Sequence, residues 1–209
     1  MSYNIEIIRK KQYKTSEWSG GTTTELYIYP KDSLYSDRNF KWRVSSAKVE
    51  VEHSTFTTLA EISRLIMVIE GELLLKHEGH HNAVLKAFEQ DSFSGEWTTT
   101  SFGKVTDFNL MMSQGYKGKL EAISVNVGEF KNISLHNNIN NVEKIHEVTE
   151  VFYIVKGDVA IETETKEKIN LNEGDLALVT RIEKEDTSVF KLWNCMDNEV
   201  KVIRASIFY

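Results

Sequence analysis

The sequence predicts an all-β protein built as two similar halves. Three observations carry that expectation: apolar runs of strand length, glycines at the breaks between them, and a second occurrence of the whole pattern downstream. The segments LYIYP (26–30), WRVSSAKVEV (42–51), RLIMVIEGELLLKH (64–77), LEAISVNV (120–127), EVFYIVKGDVAIETET (150–165), DLALVT (175–180) and VKVIRASIF (200–208) read as strands. Gly71, Gly157 and Gly174 fall at breaks or tight turns, where a positive φ costs least in glycine. NVEKIHEV (141–148) fits a short helical turn or a loop equally well. Many short strands separated by turns make a sandwich or a barrel.

The repeat sharpens this. RLIMVIEGELLL (64–75) aligns with EVFYIVKGDVAI (150–161), each an apolar strand, a glycine flanked by charge, and another apolar strand. LKAFEQDSFSG (85–95) then aligns with KINLNEGDLAL (168–178), which pairs Asp91 with Asp175. Strand, glycine turn, strand and acidic turn is the signature of a cupin half-barrel, so two copies predict a bicupin with an RmlC-like jelly roll in each half. The expected halves are residues 1–115, with the candidate ligand pocket, and 116–209, the two packed as one unit.

Composition excludes several function classes. The net charge is -6 and no Lys/Arg block is present, so neither a nucleic-acid footprint nor a polybasic membrane patch is visible. The one cysteine, Cys195, excludes an intramolecular disulfide and a Cys-rich metal site, fits a reducing compartment, and is expected to fill a core gap. The first residues lack a signal-peptide core, and the longest apolar run, LIMVI at 65–69, is too short to span a bilayer. The expectation is a soluble cytoplasmic protein.

Metal cupins carry a His-x-His-x-x-x-Glu run ahead of the first glycine and another His on a later strand. Counting back from Gly157 puts Glu150 at the carboxylate position and His146 at the second histidine, with Lys144 and Ala177 in place of the other two. Two ligands are fewer than the three of a catalytic zinc site. In the first half the same positions hold Thr58, Ala60 and Arg64. No metal or other cofactor is therefore expected, with His146 and Glu150 as the alternative site. HEGHH (77–81) reads as an exposed hairpin tip whose histidines titrate without a structural task, and metal capture is not expected there.

Polar residues on apolar strands point to a pocket. Alternation along residues 42–51 puts Arg43, Ser45, Ala47, Val49 and Val51 on one face, with Lys48 and Glu50 on the solvent side. An inward arginine is costly unless paired, and its planar fork suits a carboxylate; a structural salt bridge would satisfy it as well. Arg64 opens a strand that is apolar on both faces and stands where a metal cupin aims its glutamate. In TDFNLMM (106–112), Asp107 and Asn109 share a face opposite Phe108, Leu110 and Met112. Two arginines, an aspartate and an amide on such strands resemble the few convergent polar groups of a ligand site.

These motifs resemble the HutD/Ves family, accessory proteins linked to bacterial histidine utilisation. The stretches that carry the likeness are Trp18-Ser19-Gly20-Gly21-Thr22-Thr23, Trp42 to Ala47, Phe56 with Arg64 to Gly71, Phe93 to Glu96, and Asp107 to Met111. They follow the family order across residues 18–111, and the second half matches in its cupin repeat. Ser19 departs from the commoner Asn, and HEGHH looks private to this chain. The resemblance implies a two-cupin fold without the usual metal ligands. It also implies a pocket for small acidic intermediates of histidine breakdown such as formylglutamate, and a sensing or modulating role without catalysis.

On that reading Gly20-Gly21 lets the backbone pass close to the pocket rim and Trp18 walls it, with Thr22 and Thr24 turned to one side, their hydroxyls towards the ligand. A glycine bulge on an edge strand beside a core Trp is the plainer account. The expected partner is a small acidic metabolite, held by Arg43 and Arg64 and oriented by Asp107 and Asn109, with Ser45 beside them. A homodimer across a sheet edge is compatible with the pattern. The alternative function is a cupin enzyme acting on a similar metabolite, metal-dependent or metal-free, with Asp107 as general base.

Overall fold

Antiparallel pairing turns each apolar run into half of a two-sided wall, and the computed structural model describes this for residues 3–134, 147–181 and 189–209. Strand β1 (Tyr3–Ile8) opens the described chain, followed by β2 (Lys14–Trp18), β3 (Gly21–Tyr29) and β4 (Trp42–Val49). Next come β5 (His53–Thr55), β6 (Ile62–Glu70), β7 (Leu73–His77), β8 (Asn82–Leu85), β9 (Gln90–Ser94), β10 (Thr99–Phe102) and β11 (Val105–Ser113). The rest are β12 (Lys117–Val125), β13 (Phe130–Ser134), β14 (Val148–Lys156), β15 (Val159–Glu162), β16 (Lys168–Leu171), β17 (Leu176–Arg181), β18 (Val189–Asn194) and β19 (Val200–Phe208). Two short 3-10 turns, Lys10–Gln12 and Tyr35–Asp37, are the helical pieces among the described residues. The helix-or-loop segment at 141–148 lies almost wholly outside them. No helix of the described residues is long and apolar enough to cross a membrane.

The chain divides into two compact units, Tyr13–Gly118 and Met1–Gln12 with Lys119–Tyr209. The first holds a six-stranded sheet, order β2-β3-β4-β11-β6-β9, and a four-stranded sheet, order β5-β10-β7-β8. The second holds a five-stranded sheet, β1-β17-β14-β19-β12, and a four-stranded sheet, β13-β18-β15-β16. Moving eight strands along the chain converts β4-β11-β6-β9 into β12-β19-β14-β17 and β5-β10-β7-β8 into β13-β18-β15-β16. The sequence repeat is therefore a repeat of topology. Gly71 and Gly157, at φ 92 and 79, make the equivalent turns after β6 and β14.

One boundary differs from the expectation. The N-terminal residues were assigned to the first half, but β1 pairs with β17, Ile5 opposite Val179 and Ile7 opposite Ala177. Tyr3, Ile5 and Ile7 join the apolar cluster of Phe152, Ile154, Val179 and Phe190. A strand's own pattern states which face is buried, not which neighbour it will find. In the first unit the inner faces of the two sheets meet through Val49, Ile66, Val68, Leu73, Leu75 and Phe93. A second apolar group, Ile28, Phe40, Leu59, Ile62 and Met111, closes off one end.

Candidate functional site

The site is made by strand register. β11 lies between β4 and β6, with Asp107 opposite Ala47 and Val68, Asn109 opposite Ser45 and Ile66, and Met111 opposite Arg43 and Arg64. Directly paired residues point to the same face of a sheet, so the period-2 argument brings Arg43, Ser45, Ala47, Arg64, Asp107 and Asn109 onto one inner surface. They line a cavity of about 320 Å³ together with Trp18, Thr23, Tyr35, Phe56 and Met111. That size is at the lower end of small-ligand cavities.

Charge in the cavity is unevenly matched. Arg43 donates through Nε to Glu25 at 2.7 Å and through Nη1 to Ser45 Oγ at 3.0 Å, with its guanidinium 4.5 Å above the Tyr35 ring. The salt-bridge reading of Arg43 is the one the geometry takes. Arg64 has no carboxylate within salt-bridge distance among the described residues. Its Nη2 donates to Asn109 Oδ1 at 2.9 Å, and its buried Nε has no hydrogen-bond partner. Phe56 and Phe93 approach the guanidinium at 4.6 and 5.0 Å, which fixes its plane. Asn109 Nδ2 in turn donates to Asp107 Oδ1, so a relay runs from arginine through amide to carboxyl.

Burial sets the protonation of this relay. It lowers Arg64 to about 10, which leaves the side chain charged at neutral pH. Burial also pushes Asp107 up to about 7, against the opposing pull of Arg64, a backbone hydrogen bond from Ala47 and the Asn109 amide. The interior thus carries a charged arginine near a carboxyl that titrates close to neutrality.

The glycine pair at the rim is a hairpin turn rather than a bulge. β2 pairs with β3 so that Trp18 faces Gly21. A Cβ on Gly20 would lie 2.0 Å from the Trp18 ring, and one on Gly21 would lie 1.9 Å from the Lys48 carbonyl. Trp18 therefore folds back over Gly20 while β3 runs hard against β4. The indole is 39% exposed and lines the cavity, so it is not a core Trp. The threonines are the reverse of the expectation. Thr23 is opposite Ala47 and lines the cavity, whereas Thr22 and Thr24 are opposite Lys48 and Ser46 on the other face. Thr24 bonds Thr15 across the hairpin at 2.9 Å. Neither Gly20 nor Gly21 lines the cavity; they position what does.

Tyr35 and Glu25 carry no signal in the sequence motifs, and Phe56 and Thr23 stand in the family motifs without being expected in the pocket. Alternation from Thr23 to Glu25 carried a signal for those two, since both pair with cavity-facing residues of β4. Tyr35 reaches the site from a loop, where no periodicity applies.

The second unit uses the equivalent positions differently. Glu150, at the place of Arg64, is fully buried and accepts from Arg204 Nε at 2.9 Å and Nη2 at 2.7 Å, and from Ser206 Oγ at 2.6 Å. Arg204 stands at the position of Asn109. A metal on Glu150 would have to displace this guanidinium; His146, the other residue of the alternative metal pair, lies outside the described residues. Glu150→Ala strands a buried arginine and is expected to cost about 3–5 kcal/mol in urea unfolding. Between the sheets of this unit, a void among Phe152, Ile161 and Phe190 measures only about 10 Å³.

Two further expectations change. Cys195 is exposed and fills no core gap. HEGHH does form the β7–β8 turn, but His77 is buried, and burial holds its ring below the ordinary imidazole value.

Two repeats of one strand order, with a polar cavity inside the first, define an all-β bicupin. The chain belongs to the HutD family, whose model matches residues 10–192. It is similar to PA5104, a conserved protein of unknown function from Pseudomonas aeruginosa PAO1, at 21% identity, 98% coverage of both chains and a TM-score of 0.77. HutD from Pseudomonas fluorescens SBW25 is similar at 20% identity, again over 98% of both chains, with a TM-score of 0.66. The oxalate decarboxylase of Lactobacillus farciminis, in a formate complex, has the same fold at 9% identity and a TM-score of 0.66, over 97% of this chain and 85% of that one. Comparison with curated proteins found no match.

Proposed function

We propose that the chain is a cytoplasmic, non-catalytic binding protein for a small carboxylate of histidine breakdown, such as formylglutamate, and that it senses or modulates that pathway. The observation that carries this is Arg64, a buried arginine that lines the cavity beside an amide and has no carboxylate within salt-bridge distance among the described residues. A carboxylate supplies the counter-charge that the Arg64 guanidinium lacks, through charge-assisted hydrogen bonds. Asn109 and Asp107 orient it, and Trp18 and Phe56 flank it. Arg43, already held by Glu25, shapes the wall rather than serving as the first anchor. The formate complex of the oxalate decarboxylase neighbour is a precedent for a small carboxylate on this fold.

Thermal unfolding against glutamate, formylglutamate, formiminoglutamate, histidine and urocanate tests the reading. A ligand at a hundredfold over its dissociation constant stabilises by about 2.7 kcal/mol. A selective shift supports the proposal, and a flat panel removes it. A second reading is favoured by Asp107, whose pKa near neutrality suits a general base in a metal-free reaction. Deuterium exchange next to a substrate carboxylate, present in the wild type and lost in Asp107→Asn, would decide for it.

A further inference from the structure

We propose that the β7–β8 hairpin and strand β9 form a binding site for one divalent transition-metal ion, with His77 Nε2, His81 Nε2 and the Asp91 carboxylate as its ligands. This site is separate from the arginine-lined cavity and independent of the function assigned to it.

The three side chains converge from two sheets. His77 ends β7 in the four-stranded sheet, His81 follows its turn, and Asp91 lies on β9 in the six-stranded sheet. His77 Nε2 is 2.9 Å from Asp91 Oδ2, and His81 Nε2 is 3.0 Å from both Asp91 oxygens. One ligand atom from each of the three residues lies within 4.8 Å of the other two. Neighbouring ligands of an ion with bonds of about 2.1 Å are about 3.0 Å apart in octahedral and about 3.4 Å apart in tetrahedral geometry. Histidine–carboxylate distances are therefore already near those of a coordinated set, and small side-chain rotations open room for the ion.

Hydrogen bonding around His77 is compatible with a metal-bound ring. Thr99 Oγ1 is 2.7 Å from His77 Nδ1 and 3.4 Å from the Trp97 carbonyl. When the hydroxyl donates to that carbonyl, it accepts from Nδ1–H. In that tautomer Nε2 carries the lone pair that a metal would take; in the other, Thr99 donates to Nδ1 and Nε2–H donates to Asp91. With a cation at Nε2, Thr99 becomes the outer partner that fixes the ring, as metal-bound histidines usually have.

Exposure suits capture as well. The His77 side chain is fully buried and that of Asp91 nearly so, whereas His81 is 44% exposed and can open to admit an ion. Two imidazoles and one carboxylate favour zinc, nickel, cobalt, copper or ferrous iron over magnesium or calcium. An ion held this way would tie the two sheets of the first unit together at one edge. His80 does not join it; its ring stacks on Trp97 at 3.7 Å.

Trp97 makes the test direct, because its ring lies 5.5 Å from His77 and 5.8 Å from His81. Tag-free full-length protein would be titrated with zinc by calorimetry and with nickel by tryptophan quenching. The expected result is one ion per chain, a raised Tm with zinc, and quenching that disappears in Trp97→Phe. His81→Ala, at an accessible side chain, and the isosteric Asp91→Asn should each weaken zinc binding by more than about tenfold, whereas His80→Ala should leave it unchanged. Absence of binding at millimolar zinc overturns the proposal, as does full-strength binding in both His81→Ala and Asp91→Asn.

Discussion

Arg64→Met is expected to leave the protein folded and to weaken its hold on a small carboxylate by roughly 30- to 1000-fold. Truncating one partner of a buried, hydrogen-bonded charge pair costs about 2–4 kcal/mol. Folding should survive because the methionine chain fills the slot between Phe56 and Phe93 and removes a buried charge that has no carboxylate partner of its own. Isothermal titration of the best ligand from the thermal panel, beside the mutant's own unfolding curve, measures both halves. Wild-type affinity in a folded Arg64→Met protein would sink the anchor assignment.

Asp107→Asn should remove a pH dependence that the wild type displays in both stability and binding. The Asp107 carboxyl has a native pKa of about 7 and an ordinary unfolded value of 3.8. Between those values the native state keeps a proton that the unfolded chain has released. Stability from this group is therefore full below about pH 4, falls as pH rises, and is gone above about pH 7, a loss of up to about 4 kcal/mol. The Tm of Asp107→Asn relative to the wild type should accordingly climb between pH 4 and pH 8. Anion binding follows the same proton. Above pH 7 the ionised Asp107 offsets Arg64, so wild-type affinity for a carboxylate should fall by up to about tenfold per pH unit, while the mutant stays flat. Parallel pH profiles for the two proteins would refute the role.

Much of this site was legible in the sequence because strands alternate. Arg43, Ser45, Asp107 and Asn109 could be placed on inward faces by counting in twos, and all four line the cavity. Arg64 could be placed by its distance from the repeat glycine. The same counting failed for the threonines, since Trp18-Ser19-Gly20-Gly21 is a turn and the phase of β3 is set by its pairing with β4. It also failed for the histidines, whose partner Asp91 lies on another sheet and was visible only as the counterpart of Asp175.

The sequence by itself determined the all-β class, the strand–glycine–strand repeat and the inward faces of β4 and β11. These depend on local period and turn chemistry, which neighbouring residues carry. Tertiary structure alone decided that β1 completes the second unit, that Arg43 is spoken for by Glu25 while Arg64 is not, and that His77, His81 and Asp91 meet. Those outcomes depend on register and on which sheet faces which, and both are settled by burial of apolar surface between segments far apart in the chain.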